Sequence, residues 1–307
     1  MTQCVILGEA GAFPKRVTLE LTNRCNLSCT FCPRRYMEKE RGFMDVRLAK
    51  SLLDEMAKHA PVSVVPFFRG ESLLHPQWFD ILRHAQEKEV GEIQFTTNGS
   101  LLSTENIERI LDLELDFISF SLDTRDAELY NASRRGADFN QTMQSVLEFV
   151  KRRDERGVRT QVQVSAVETP EHRPGMRAFV DYWRPVVDRV RIYVEHSKDG
   201  NPGSIDEPMP EFATRQPCFK PFTDMVVYWN GQVACCNHDW TRQRDGVPLG
   251  DVFRDGIAGV WGGDAYAALR LHHMQGVLDG VRPCDGCDHW RMYYTEPGFC
   301  GRTYIRK

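Results

Sequence analysis

The sequence has no basic field. Lys and Arg number 39 against 43 Asp and Glu, a formal net charge of −4, and without a positive stripe nothing neutralises a phosphate backbone. Nucleic acid is therefore not an expected partner. The opening Met-Thr-Gln-Cys-Val-Ile-Leu-Gly-Glu has neither the basic start nor the apolar core of a signal peptide. No later stretch approaches the ~18 uninterrupted apolar residues of a membrane span. The expectation is a cytoplasmic protein with no membrane partner. Repeats and low-complexity segments are missing too, so the 307 residues read as one large domain, or a large one with a small one.

Cysteine, by contrast, is plentiful. Ten cysteines in a reducing compartment serve as ligands or reactive thiols more readily than as disulfides. Three of them, Cys25, Cys29 and Cys32, follow the apolar-alternating run Arg16 to Leu21 with C-x3-C-x2-C spacing. Short spacers let three sulfurs from one loop converge on one metal cluster. A C-x2-C pair alone is most often a zinc site or a redox dithiol. Neither explains a third cysteine upstream without a fourth nearby, because structural zinc closes on four ligands. Three thiolates on a four-iron cluster leave one iron open.

Behind that loop, helical and strand patterns alternate. Asp45 to His59 carries Val46, Ala49, Leu52, Leu53 and Met56 at helical spacing. Strands are expected at Val62 to Phe68, Glu92 to Thr97, Phe117 to Leu122, Arg159 to Val167 and Arg189 to Glu195. Helices are expected near Gln77 to Lys88, Thr104 to Leu111, Asn140 to Arg156 and Gly175 to Trp183, with Gly157 capping the third of these. Six βα units imply a parallel sheet with its functional loops at the carboxyl ends of the strands. Six are too few for a closed eight-fold barrel, so the expected α/β fold is an open (β/α)6 partial TIM barrel. A composition shift between Ser197 and Gln216 suggests domains at 1–200 and 217–307 joined by a linker or lid at 201–216.

The cysteine loop, with Phe31 just before its last cysteine, resembles the signature loop of the radical S-adenosylmethionine (radical SAM) superfamily. That resemblance implies a [4Fe-4S] cluster whose open iron is chelated by SAM, reductive formation of a 5'-deoxyadenosyl radical, and an electron donor such as flavodoxin or ferredoxin. Gly70-Glu71 resembles the family's Gly-Gly-Glu-Pro, implying contact with the SAM amino group, though Arg69 and Ser72 depart from the pattern. Asn98 closes the third strand. Ser119, Ser121 and Asp123 share one strand face and resemble the family's Ser-Leu-Asp end near the SAM carboxylate and ribose. Arg134 and Arg135 resemble its cationic partner for that carboxylate; Arg135 is the nominal choice, and the pair leaves open which one serves.

The last third resembles the SPASM/twitch extension of the same enzymes over about 217 to 290, with zinc ribbon as the alternative. Cys218, one of Cys235 and Cys236, Cys284 and Cys287 would hold one auxiliary [4Fe-4S] cluster. Adjacent strand residues point to opposite faces, so both of the pair are not expected on one cluster, and the family's spacing favours Cys236. Cys4, Cys235 and Cys300 are then spare. A spare buried cysteine usually packs as a small apolar residue; the sharper expectation is that Cys235 or Cys300 faces the substrate and donates a hydrogen atom.

Only about fifteen residues precede the first strand, which argues against a leader-binding domain and for a small-molecule substrate. The layout is similar to that of the epimerases and dehydrogenases of carbohydrate and aminoglycoside antibiotics. The expected activity is hydrogen abstraction from a hydroxyl-bearing carbon of a sugar or aminocyclitol, followed by epimerisation with a cysteine donor. Oxidation to a ketone with the auxiliary cluster as acceptor is the alternative; a peptide maturase and a non-catalytic iron–sulfur or zinc protein are the others. Glu168, Glu195, His196 and Asp239 are candidates for binding hydroxyls or amines.

Overall fold

A computed structural model describes residues 10–37, 40–205, 208, 210–240, 248–295 and 301–306. Cys4 and Cys300 lie outside the described residues. The strands are β1 Arg16–Leu19, β2 Ser28–Cys29, β3 Ser63–Val65, β4 Gln94–Thr97, β5 Phe117–Ser121, β6 Arg134–Arg135, β7 Gln161–Glu168, β8 Arg189–Val194, β9 Asp224–Val227, β10 Val233–Ala234 and β11 Gly301–Ile305. The helices of the barrel are α1 Val46–Ala57, α2 Trp78–Glu87, α3 Thr104–Asp112, α4 Ala127–Ser133, α5 Phe139–Arg156 and α6 Met176–Trp183.

One sheet has the order β10-β9-β1-β3 and the other β11-β8-β7-β5-β4. A parallel bridge between Val64 and Ile93 links β3 to β4. The result is an open, curved α/β sheet whose six predicted strands run parallel, as expected of a partial TIM barrel. Alternation along each strand sorts the side chains. Val17 and Leu19 of β1 are fully buried in the core, while Arg16 and Thr18 line the cavity on the other face.

The helices form where the sequence predicts. Asp45 caps α1 by accepting hydrogen bonds from the backbone N–H groups of Arg47 and Leu48, and Leu48, Ala49, Leu52, Leu53 and Met56 are its buried face. Gly157 ends α5 at φ 66°, a left-handed position that glycine adopts without strain.

Three features were not expected. The short helix α4, capped by Asp126, runs into β6, which pairs antiparallel with β2 through Ser28–Arg135 and Cys29–Arg134. That ladder ties the cysteine loop to the arginine pair. The C-terminal third also joins the barrel sheet, because β9 pairs parallel with β1 before turning back antiparallel into β10. Finally, β11 closes the far edge on β8. The described part of the expected linker or lid packs down, with Gly203 O accepting from the Asp288 N–H at 3.1 Å.

A buried ion pair joins these parts. Arg69 Nε and Nη2 donate to the two carboxylate oxygens of Glu20 at 2.6 and 2.7 Å, and neither side chain has any exposed area. Replacing Arg69 with Met should leave the Glu20 charge buried and uncompensated, costing about 3–5 kcal/mol. Chemical unfolding measures this, and the Glu20→Gln/Arg69→Met double variant should recover part of the loss. A single-variant loss below about 1 kcal/mol, the value of an exposed pair, would contradict the account.

Candidate active site and auxiliary metal pocket

At the carboxyl ends of the parallel strands lies a cavity of about 460 Å³. Cys25, Cys29, Cys32 and Phe31 line it from the loop after β1, Gly70 and Glu71 from the turn after β3, Asn98 from the end of β4, Ser119, Ser121 and Asp123 from β5 and its end, and Arg134 from β6.

Gly70 is required by sterics, since a Cβ there would collide with the carbonyl oxygens of Thr22 and Arg24. Its neighbour Glu71 is 1% exposed. The carboxylate accepts from the N–H groups of Leu73 at 3.2 Å and Asn98 at 2.8 Å and from the Thr97 hydroxyl at 2.9 Å. Burial raises its pKa and these hydrogen bonds pull it back. Asp123 sits at φ 65° and receives Arg134 Nε at 2.6 Å and the Val167 N–H at 2.9 Å. The side chain of Arg134 is 5% exposed, and its guanidinium carbon lies 5.8 Å from the centre of the Phe31 ring.

Arg135, the nominal choice, is exposed and does not line the cavity. The β2–β6 ladder explains this: adjacent residues of β6 face opposite ways, and Arg134 is the one set opposite Cys29. Asn98 donates from Nδ2 to Asn26 Oδ1 at 3.0 Å and lies 3.9 Å from Cys25 Sγ.

Burial raises the pKa of all three loop thiols, that of Cys29 to about 11, with Arg134 partly opposing the shift at Cys29. Buried thiols of this kind become thiolates once a cationic metal centre offsets their charge. Three convergent thiols beside a carboxylate and a guanidinium fit a cluster that also binds an amino acid moiety.

A second, narrower cavity is lined by Cys218, Cys235, Cys236, Cys284 and Cys287. Burial pushes the Cys287 thiol up to about 12 and the Cys218 thiol higher. Cys235, expected to face the substrate, is instead 2% exposed, with its Sγ 3.6 Å from Cys284 Sγ. Strand alternation does not separate it from Cys236, because β10 already ends at Ala234. Four buried histidine nitrogens around this cavity lack a hydrogen-bond partner among the described residues: Nδ1 and Nε2 of His238, Nε2 of His273 and Nδ1 of His289. Five thiols and orphaned ring nitrogens fit an iron–sulfur group.

The two cavities share a thin wall. Lys220 lines both. Asn237 faces the larger one, while its neighbours Cys236 and His238 face the narrower one. His196 of the larger cavity packs edge-on to His238, ring centroids 4.5 Å apart. Sequence reasoning missed Lys220, His238, His273 and His289. For His238 and His289 there was a cue, since each stands two residues after a cysteine. Of the candidates for binding hydroxyls, Glu195 and His196 line the larger cavity. Glu168 instead accepts from Arg302 at 2.7 Å, and Asp239 accepts from the Cys235 N–H at 2.9 Å.

Residues 19–162 match the family model of the radical SAM superfamily, and residues 218–288 match that of the SPASM iron–sulfur cluster-binding domain. The chain is a radical SAM protein with a C-terminal SPASM domain. These domains imply a four-iron cluster with SAM and auxiliary iron–sulfur ligation. One relative, the tungsten-containing aldehyde ferredoxin oxidoreductase cofactor-modifying protein of Pyrococcus furiosus, is 24% identical over 89% of this chain and 89% of its own length. The crystal structure of BtrN with AdoMet and 2-DOIA superposes with a TM-score of 0.59 at 18% identity, covering 89% of this chain and 92% of BtrN. Streptococcus suis SuiB gives a TM-score of 0.68 at 17% identity over 93% of this chain and 75% of SuiB. No helix among the described residues is long and apolar enough to cross a membrane.

The geometry predicts a contrast between the two arginines. Arg134→Gln should weaken SAM binding to the reconstituted protein by about 10–100-fold, the worth of a charge-assisted hydrogen bond. Arg135→Gln should leave it within about twofold. Calorimetric titration measures both, and equal effects would return the choice to Arg135.

Proposed function

We propose that this radical SAM enzyme oxidises a hydroxyl-bearing carbon of a small, polar substrate of the carbohydrate or aminocyclitol class. When bound, the loop cluster with SAM would supply a 5'-deoxyadenosyl radical, and the auxiliary cluster a one-electron sink. The conversion is a secondary alcohol to a ketone: one hydrogen atom leaves from carbon, one proton leaves from oxygen, and one electron is taken up by the auxiliary site. The observation that carries this reading is the adjacency of the two cavities: Lys220 lines both, Asn237 lines one while its neighbours Cys236 and His238 line the other, and His196 of the first packs against His238 of the second.

Cys25, Cys29 and Cys32 would hold the first cluster, and Gly70, Glu71, Ser121, Asp123 and Arg134 the methionine and ribose parts of SAM. Cys218, Cys236, Cys284 and Cys287 would hold the auxiliary cluster. The rest of the cavity offers Glu195, His196, Asp224 and Asn237 to hydroxyl and amino groups. Lys220 Nζ donates to Asp224 Oδ2 at 2.5 Å.

Oxidation is preferred over epimerisation because, among the described residues, the only thiols that line the cavity are the three of the cluster loop. Cys235, a donor by expectation, opens on the other side of the wall. The heavy-water experiment separates the outcomes. Oxidation should give a carbonyl product with no solvent deuterium on carbon, and Cys218→Ala or Cys287→Ala should reduce that product to background while 5'-deoxyadenosine still forms. An epimer carrying solvent deuterium, or a carbonyl product unaffected by loss of Cys218, would overturn the proposal.

A further inference from the structure

The narrow cavity contains ring nitrogens that find no hydrogen-bond partner among the described residues. A buried N–H left without an acceptor costs about 1–3 kcal/mol, and folded proteins keep such groups rare. Here four ring nitrogens from three histidines are unpartnered around one cavity.

The tautomer of His273 follows from its other contact. The backbone N–H of Cys218 donates to His273 Nδ1 at 3.3 Å, so Nδ1 is the bare nitrogen. A neutral imidazole then carries its proton on Nε2, the atom that lines up with no protein acceptor. His273 belongs to the last turn of the helix Asp264–Gln275, on the face that also buries Tyr266 and Leu269. It is 1% exposed, so Nδ1 serves the Cys218 N–H while Nε2–H has no acceptor among the described residues. His238 is 3% exposed, and neither ring nitrogen has a partner, so whichever tautomer it adopts presents one N–H without an acceptor.

What the cavity does supply besides these rings is sulfur. Thiolates and bridging sulfides accept N–H hydrogen bonds, and such bonds favour the reduced, more negative state of an iron–sulfur centre, raising its reduction potential. We propose that His273, through Nε2–H, and His238, through its one ring N–H, donate hydrogen bonds to sulfur of the auxiliary cluster and so set it at a potential where it accepts electrons. These are positioning and tuning groups, not iron ligands, since Cys218, Cys236, Cys284 and Cys287 supply the four ligands an auxiliary cluster needs. The inference needs the auxiliary cluster but not the oxidation reading, and holds equally for an epimerase or a peptide-modifying enzyme.

The test uses the full chain with Cys25, Cys29 and Cys32 replaced by Ala, reconstituted with iron and sulfide so that only the auxiliary site is loaded. Grown with ring-15N histidine and reduced, it should show weak 15N couplings and exchangeable proton couplings in pulsed electron paramagnetic resonance. Their absence would overturn the proposal before any histidine is changed. Couplings strong enough for directly bound nitrogen would overturn it in favour of iron ligation. In the same background, His273→Leu should move the midpoint potential to a lower value at unchanged iron and sulfide content. His273→Gln, which keeps an N–H, should recover part of the shift. A His238→Leu/His273→Leu protein that loads fully and titrates at the parent potential would also overturn it, leaving those nitrogens to water.

Discussion

The ion pair between Glu20 and Arg69 fixes the relation between the two cysteine sites. Two charges with no exposed side-chain area lose their hydration, and Coulomb attraction alone rarely offsets that loss. Here the remaining hydrogen-bond capacity is also used. The Trp229 N–H donates to Glu20 Oε2 at 3.2 Å, Arg69 Nη1 donates to the Trp240 carbonyl at 3.3 Å, and the guanidinium lies 4.1 Å from the Tyr228 ring centre. Glu20 stands just ahead of the cysteine loop, Arg69 immediately before Gly70 and Glu71, and Trp229 in the turn between β9 and β10, which lead to Cys235 and Cys236. Where the radical SAM pattern has its first glycine, this chain has the arginine that joins the strand end to the SPASM hairpin.

The barrel was legible because its strands are short apolar runs ended by polar residues and its helices carry caps and a 3.6-residue period. Gly157, read from the sequence as a C-terminal cap, ends α5 in the structure. The β2–β6 ladder was not legible, since two-residue strands have no period to detect. Its absence from the sequence reading is what made Arg134 and Arg135 indistinguishable. Likewise, nothing local announced that β9 would pair with β1 some two hundred positions earlier. That pairing depends on two apolar edges meeting in space.

The misplacement of Cys235 has a similar cause. Alternation holds while a strand lasts, and this one lasts two residues. Beyond it the chain turns, with the Asp239 N–H bonded back to the Cys236 carbonyl at 3.1 Å. In the turn, Cys235 and Cys236 open to the same side. The structure therefore converts a residue expected in the reaction cavity into part of the wall of the metal pocket.

That turn is itself held by the buried pair. The Tyr228 hydroxyl donates to the Asp239 carbonyl at 2.6 Å while its ring lies under Arg69, and Asp239 Oδ2 accepts the Cys235 N–H at 2.9 Å. Contacts thus run without a gap from Glu20 through Arg69, Tyr228 and Asp239 to the auxiliary cysteines. Because Asn237 faces one cavity and its two neighbours face the other, any movement of the turn changes both at once. On the oxidation proposed above, electron exchange between the two sites would depend steeply on their separation, and a rigid strut between them would serve that step as well as stability. This also explains why a costly buried charge pair stands where a hydrophobic contact would be cheaper: directional bonds from guanidinium and carboxylate fix the orientation of the turn, and apolar packing of the same volume would not.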